Sequence, residues 1–135
     1  MSGNLALDTN AVIAFQGGDP AAAAIIEEVR EVFLPAPVLG ELVFGALSST
    51  RPEEIFNLIL RLASHCVVLD VNHLVAIRYG SVRKTLREQG QPIPENDLWI
   101  AAICLEYDVP LLTHDRHFTF VPSLSVRDWT SSAAG

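Results

Sequence analysis

No stretch of this 135-residue sequence comes near the ~18 to 20 consecutive apolar residues that a membrane-spanning helix needs. The N-terminus, "MSGNLALDTN", has no basic leader and no long apolar run, so the expectation is a cytoplasmic protein without a secretory signal and without a membrane partner. Cysteine is scarce. Cys66 and Cys104 are the only two, each inside an apolar stretch, which predicts buried free thiols in a reducing compartment. The closely spaced Cys/His pairs of a thiolate metal site are absent. Basic residues are also few, nine Lys and Arg against sixteen Asp and Glu, for a formal net charge of −7. That balance disfavours simple electrostatic binding to nucleic acid and leaves a cation, a basic partner or solubility as its use. Repeats, linkers and low-complexity tracts are missing too. A single domain over 1–135 is therefore expected, with 130–135, "TSSAAG", as a frayed tail.

What is present is apolar: half of all residues, enough for a real core in a chain of this length. "NLALDTN" (4–10) reads as a short strand ending at Asp8, and "AVIAFQGG" as a short helix or turn stopped by Gly17 and Gly18. Asp19 is placed to cap a helix that opens with Pro20 and runs to Arg30. "VFLPAP" is a brief strand, and from Pro37 the spacing of Leu39, Leu42, Val43 and Ala46 predicts an amphipathic helix. "TRPE" (50–53) fits a capping box for a helix to about Ala63, and "HCVVLD" a short buried strand. A long helix follows over 71–88, stopped by Gly90 and Pro92, then an apolar helix over 94–108. "VPLLT" (109–113) and "LSVRDW" (124–129) are the last strands. Short apolar strands alternating with helices indicate an α/β domain with a mainly parallel sheet and helices on both faces.

In such sheets ligands bind beyond the carboxyl ends of the strands. Asp8 ends the first strand, Asp115 follows the fourth by two residues, and Glu41 and Asp97 lie near the starts of helices. Four carboxylates can therefore converge at one edge. Crowded carboxylates repel one another, and a hard cation such as Mg²⁺ or Mn²⁺ relieves the repulsion. Two such ions ~3.5 to 4 Å apart would clamp the attacking and leaving oxygens of a phosphodiester. Each residue also has an ordinary reading. Asp8 and Asp115 suit turns or caps, Asp97 suits a helix N-terminus, and Glu41 suits a solvated face.

"LDTNAVIAF", "ELVFGA" (41–46), "PENDLWIAA" (94–102) and "THDRHF" (113–118) together resemble the PIN domain, and more narrowly the toxin ribonucleases of bacterial VapBC toxin–antitoxin modules. The motifs are short, but they follow in the family's order over almost the whole chain. The resemblance implies a three-layer α/β/α sandwich with a mostly parallel sheet. It implies Asp8, Glu41, Asp97 and Asp115 as the catalytic, metal-binding acids, holding Mg²⁺ or Mn²⁺ for endonucleolytic cleavage of RNA, with Asn10 and Thr113 as supporting hydrogen-bond partners. A cognate antitoxin that inserts a segment beside the carboxylates, and a homodimer, are implied as well. Some relatives carry a further acid where this chain has His117, which bears on how completely a second metal position is built. His117 and His114 are otherwise read as exposed turn histidines.

An acidic protein that cuts RNA needs local positive charge. Arg78, Arg83, Lys84 and Arg87 fall within ten positions; of these, Arg83, Lys84 and Arg87 share one helix face, Tyr79 offers a stacking surface, and Arg116 lies beside the last acid. Without nucleic acid, the same stripe is a solvated helix face. Three readings remain open besides the toxin: a housekeeping RNA-processing nuclease without antitoxin, a non-catalytic PIN-like module that binds proteins, and a phosphotransfer receiver domain. The last is disfavoured because the only lysine, Lys84, sits on a helix.

Overall fold

The computed structural model describes residues 3–131. Five short strands form one parallel sheet: β1 (Asn4–Leu7), β2 (Glu31–Pro35), β3 (Val67–Leu69), β4 (Leu111–Leu112) and β5 (Val126–Arg127). Their order is β3-β2-β1-β4-β5. The strands are short and apolar because the inner ones are covered on both faces. Leu5, Ala6, Leu7, Leu34, Leu111 and Leu112 are all buried.

Six helices connect them: α1 (Thr9–Gln16), α2 (Pro20–Glu28), α3 (Ala36–Leu47), α4 (Pro52–Ser64), α5 (His73–Glu88) and α6 (Glu95–Glu106). The crossovers β1→β2→β3 step one way from β1, and the return through α5 and α6 brings β4 to its other side. With right-handed connections the two sets of helices cover opposite faces, which gives the three layers. No helix among the described residues is long and apolar enough to cross a membrane.

Local chemistry sets most boundaries. The Asp19 carboxylate accepts from the backbone N–H groups of Ala21 and Ala22 at 2.9 and 3.1 Å, and Pro20 opens α2 as expected. Gly90 ends α5 with φ +70°, a conformation glycine adopts without strain. The expected capping box at "TRPE" does not form. Pro52 takes the first helical position, so Arg51 rather than Thr50 is the N-cap, and it makes no side-chain cap bond. β3 also differs from expectation. Only Leu69 is buried, while Val67 and Val68 are exposed because β3 is an edge strand. α5 begins later than the pattern suggests, since Asn72 caps it by accepting from the Val75 N–H at 3.0 Å. Of the expected tail, 132–135 lies outside the described residues, while Thr130 is tied to the Asp128 carboxylate through its N–H and hydroxyl.

β4 leads into a short 3₁₀ turn, Arg116–Phe120, whose Phe118 is fully buried. That ring anchors the segment between Thr113 and Val121 to the core. Phe118→Ala is expected to cost about 3–5 kcal/mol of stability, read by urea denaturation, because the vacated volume cannot refill from a rigid sheet.

Candidate active site

Strand order reverses between β1 and β4: β1 continues to β2 on one side, and β4 lies on the other. At such a switch point the chain diverges beyond both strand ends and leaves a crevice. Register puts Leu7 opposite Leu112, so Asp8 and Thr113 emerge side by side, and the Asp8 N–H donates to the Leu112 carbonyl at 3.1 Å.

Asp8 is 4% exposed and Thr113 1%. A buried carboxylate must be hydrogen-bonded, and this one is. Its Oδ1 accepts from the Thr9 N–H at 2.8 Å, and its Oδ2 from the Thr113 hydroxyl at 2.7 Å and the Asn10 amide at 3.2 Å. The Thr113 oxygen in turn accepts from the Asp115 N–H at 3.0 Å and from Asn10 at 3.3 Å, while Asn10 Oδ1 accepts from the His114 N–H. Asn10 and Thr113 thus join the start of α1 to the chain leaving β4.

Asp115 caps the 3₁₀ turn, its Oδ1 accepting from the His117 N–H at 3.0 Å. Asp97 sits in the first turn of α6 with its side chain 15% exposed. Asp97, Asp115 and His117 each offer one ligand atom within 4.8 Å of the others. Glu41, exposed on α3, reaches the site through Thr9, whose hydroxyl donates to Glu41 Oε1 at 2.5 Å. All four sequence-selected acids therefore lie around the crevice. Asp97 and Asp115 bring ligand atoms within 4.8 Å of each other, Asp8 is the most buried, and Glu41 stands at the rim.

Their electrostatics are strained. Burial lifts the Asp97 carboxyl to about 6, the charges of Asp115 and Asp8 add to the lift, and His117 partly offsets it. Burial also raises Asp8, with Glu41 and Asp115 pushing the same way against the hydrogen bonds from Thr113 and Thr9. A cluster that crowds carboxylates at the cost of their ionisation is suited to a hard divalent cation, and the all-oxygen donors of the four acids match that chemistry. Behind the site, Cys104 is buried and its thiol is pushed well up by desolvation, which makes it an inert core residue.

Two residues were not assigned to the site from sequence. Thr9 carries no signal of its own in the sequence, yet its hydroxyl holds Glu41. His117 is more than an exposed turn residue, since its Nδ1 lies 3.0 Å from Asp115 Oδ1 and 3.3 Å from Asp97 Oδ2. Its spacing two residues beyond Asp115 was the available signal. His114 instead stacks on Trp129, with ring centroids 5.1 Å apart.

The basic stripe is largely neutralised. Arg78 pairs with Glu106 at 3.2 Å, Arg83 with Glu95 at 3.5 Å and Lys84 with Glu88 at 2.9 Å. Tyr79 is not a free stacking platform either, because Trp99 lies 3.9 Å from it in a parallel stack. Among the described residues Arg87 and Arg116 make no ion pair. On the other side of Glu41 lies an apolar groove of about 260 Å³, lined by Thr9, Ile13, Leu42, Ala46, Ile55 and Ile59 among others.

The PIN-domain family profile matches residues 5–123. Ribonuclease VapC1 of Haemophilus influenzae (strain R2866) is 35% identical over 132 residues, covering 92% of this chain and 96% of the relative. The tRNA(fMet)-specific endonuclease VapC of Salmonella typhimurium is 29% identical over 132 residues, 91% of this chain and 96% of the relative. Among solved structures, VapBC-1 from nontypeable Haemophilus influenzae contains a chain that superposes with a TM-score of 0.83 at 31% identity, over 95% of this chain and 99% of that one. With the four-motif order, the parallel sheet and the acidic crevice at its switch point, these matches establish that the chain belongs to the PIN-domain family, among the VapC proteins.

Proposed function

We propose that this protein is a Mg²⁺- or Mn²⁺-dependent endoribonuclease, the toxin of a type II toxin–antitoxin module. The observation that supports it most is the convergence of Asp8, Asp97 and Asp115 at the switch point, with the first two raised above their ordinary ionisation range by burial and by the charges of their neighbours. Asp97 and Asp115 would hold the cation directly, Asp8 from below and Glu41 from the rim. A bound divalent cation supplies Lewis acidity and a water of lowered pKa for attack on a phosphodiester. The chain's own groups do the rest. Thr113, Asn10 and the Thr9 N–H fix the Asp8 carboxylate, the Thr9 hydroxyl turns Glu41 inward, and the carboxylates orient the attacking water.

RNA is the substrate this reading gives, in line with the names of the relatives. The phosphate backbone would meet Arg87 and Arg116 first. Arg83 and Lys84 become available by exchanging exposed glutamate partners for phosphate, since such pairs are worth only ~0 to 1 kcal/mol, and Arg78 by leaving the half-buried Glu106. The antitoxin would lie in the apolar groove between α1, α3 and α4, which opens beside Glu41, so that an inserted segment brings a basic side chain to the carboxylates. A homodimer suits the apolar surface of α5, where Leu74 and Ile77 are exposed one turn apart.

The test is metal add-back. The purified protein is stripped with chelator and incubated with structured RNA, then supplied with Mg²⁺ or Mn²⁺. Cleavage is expected only after add-back. Cleavage that persists in chelator, or its absence with every divalent cation tried, rejects the proposal.

A further inference from the structure

The imidazole of His117 stands where a ligand would stand. Its Nδ1 is shielded from solvent and lies 3.0 Å from Asp115 Oδ1 and 3.3 Å from Asp97 Oδ2, yet neither contact has the alignment of a hydrogen bond. Close contacts without hydrogen-bond alignment are unusual for a simple histidine–carboxylate pair, which aims an N–H at one oxygen. They are expected of neighbouring ligands on one cation. Donors ~2.1 Å from an octahedral ion sit ~3.0 Å from each other while pointing at the ion and not at one another. The placement is imposed by backbone. Asp115 caps the turn on the His117 N–H, and the adjacent Phe118 is locked in the core.

From this geometry we propose that His117 is a metal ligand, completing an Asp97–Asp115–His117 set and tilting the site away from Mg²⁺ toward first-row transition cations. The proposal rests on the metal-site reading above and deepens it. Mg²⁺ takes oxygen donors almost exclusively, whereas imidazole nitrogen is a favourable ligand for the transition series. His117 thus sets which cation the site prefers, in a position where a carboxylate would leave that choice to oxygen alone.

Mn²⁺ is the probe, because its electron spin couples measurably to a directly bound ¹⁴N. Full-length protein, His117→Ala, His117→Asp and His114→Ala are each titrated with Mn²⁺ by EPR, with Mg²⁺ as competitor, and the loaded samples are measured by pulsed EPR. A ¹⁴N coupling is expected in the wild type and in His114→Ala, and is lost in His117→Ala. The Mn²⁺-over-Mg²⁺ preference should fall by about tenfold in His117→Asp, the scale on which ligand environment tunes metal affinity. Bound Mn²⁺ without ¹⁴N coupling in the wild type overturns the histidine ligand and leaves the carboxylate site standing. Coupling that survives His117→Ala assigns another nitrogen and also overturns it. Failure to bind Mn²⁺ at all removes both readings together.

Discussion

Asp8→Asn is expected to reduce RNA cleavage by at least about a hundredfold, the effect of removing a charge on which both metal position and electrostatic stabilisation depend. The change keeps the shape of the side chain, and the new carbonyl can still accept from the Thr9 N–H. It does not keep the network. Asp8 Oδ2 accepts from both the Thr113 hydroxyl and the Asn10 amide, and an amide nitrogen there would face two donors. The Thr113 oxygen already accepts from Asp115 and Asn10, so it has little capacity to reverse its role. Part of the loss would then come from a disordered site and not from charge alone. Thr113→Val separates the two, because it leaves the Asp8 charge and removes its neutral donor. Cleavage by Asp8→Asn within tenfold of wild type, with an unchanged circular dichroism spectrum, would rule out Asp8 as a metal-holding group.

Asp97→Asn should raise stability in the absence of metal. In chelator at pH 7.5 the variant is expected to be more stable than wild type by about 1–2 kcal/mol in urea denaturation. The sign follows from linkage. The folded-state carboxyl titrates near 6, above the ~3.9 of an unfolded chain. Its contribution is therefore fully present below pH ~4 and is lost as pH rises through 6. At pH 7.5 the wild type bears that loss and the asparagine does not. A shift of this size corresponds to ~3 kcal/mol at most, and partial solvent access reduces it. Near pH 4 the two proteins should converge. Saturating Mn²⁺ should reverse the order, since a cation at a hundred times its Kd adds ~2.7 kcal/mol to the protein that binds it. A variant less stable than wild type in chelator at pH 7.5 would mean that His117 already compensates the charge.

The parts legible in the sequence were those decided within a few residues. Asp19–Pro20 announced the start of α2, Gly90 the end of α5, and the apolar spacing from Leu39 to Ala46 the buried face of α3. The four acids were legible because strand ends and helix starts in a parallel α/β sheet face the same edge. What escaped depends on partners distant along the chain. The stripe from Arg78 to Arg87 looked free because Glu95 and Glu106, which neutralise Arg83 and Arg78, arrive only with α6. Tyr79 looked available until Trp99 stacked on it. β3 looked buried because "CVVL" carries no mark of being at the edge, a property of strand order alone. Thr9 gave no sign of its role because Glu41 is 32 residues away.

The hydrogen bond from Thr113 to Asp8 closes a span of 105 residues. A chain released only through α6 has therefore made most of the fold but not the completed acidic crevice. Asp8 then lacks the Thr113 hydroxyl, Asp97 the neighbouring Asp115, and β1 one of its two flanking strands. The acidic crevice is completed only when β4 slots in beside β1. A VapC-family chain built in this order therefore carries no assembled acidic crevice until β4 is in place.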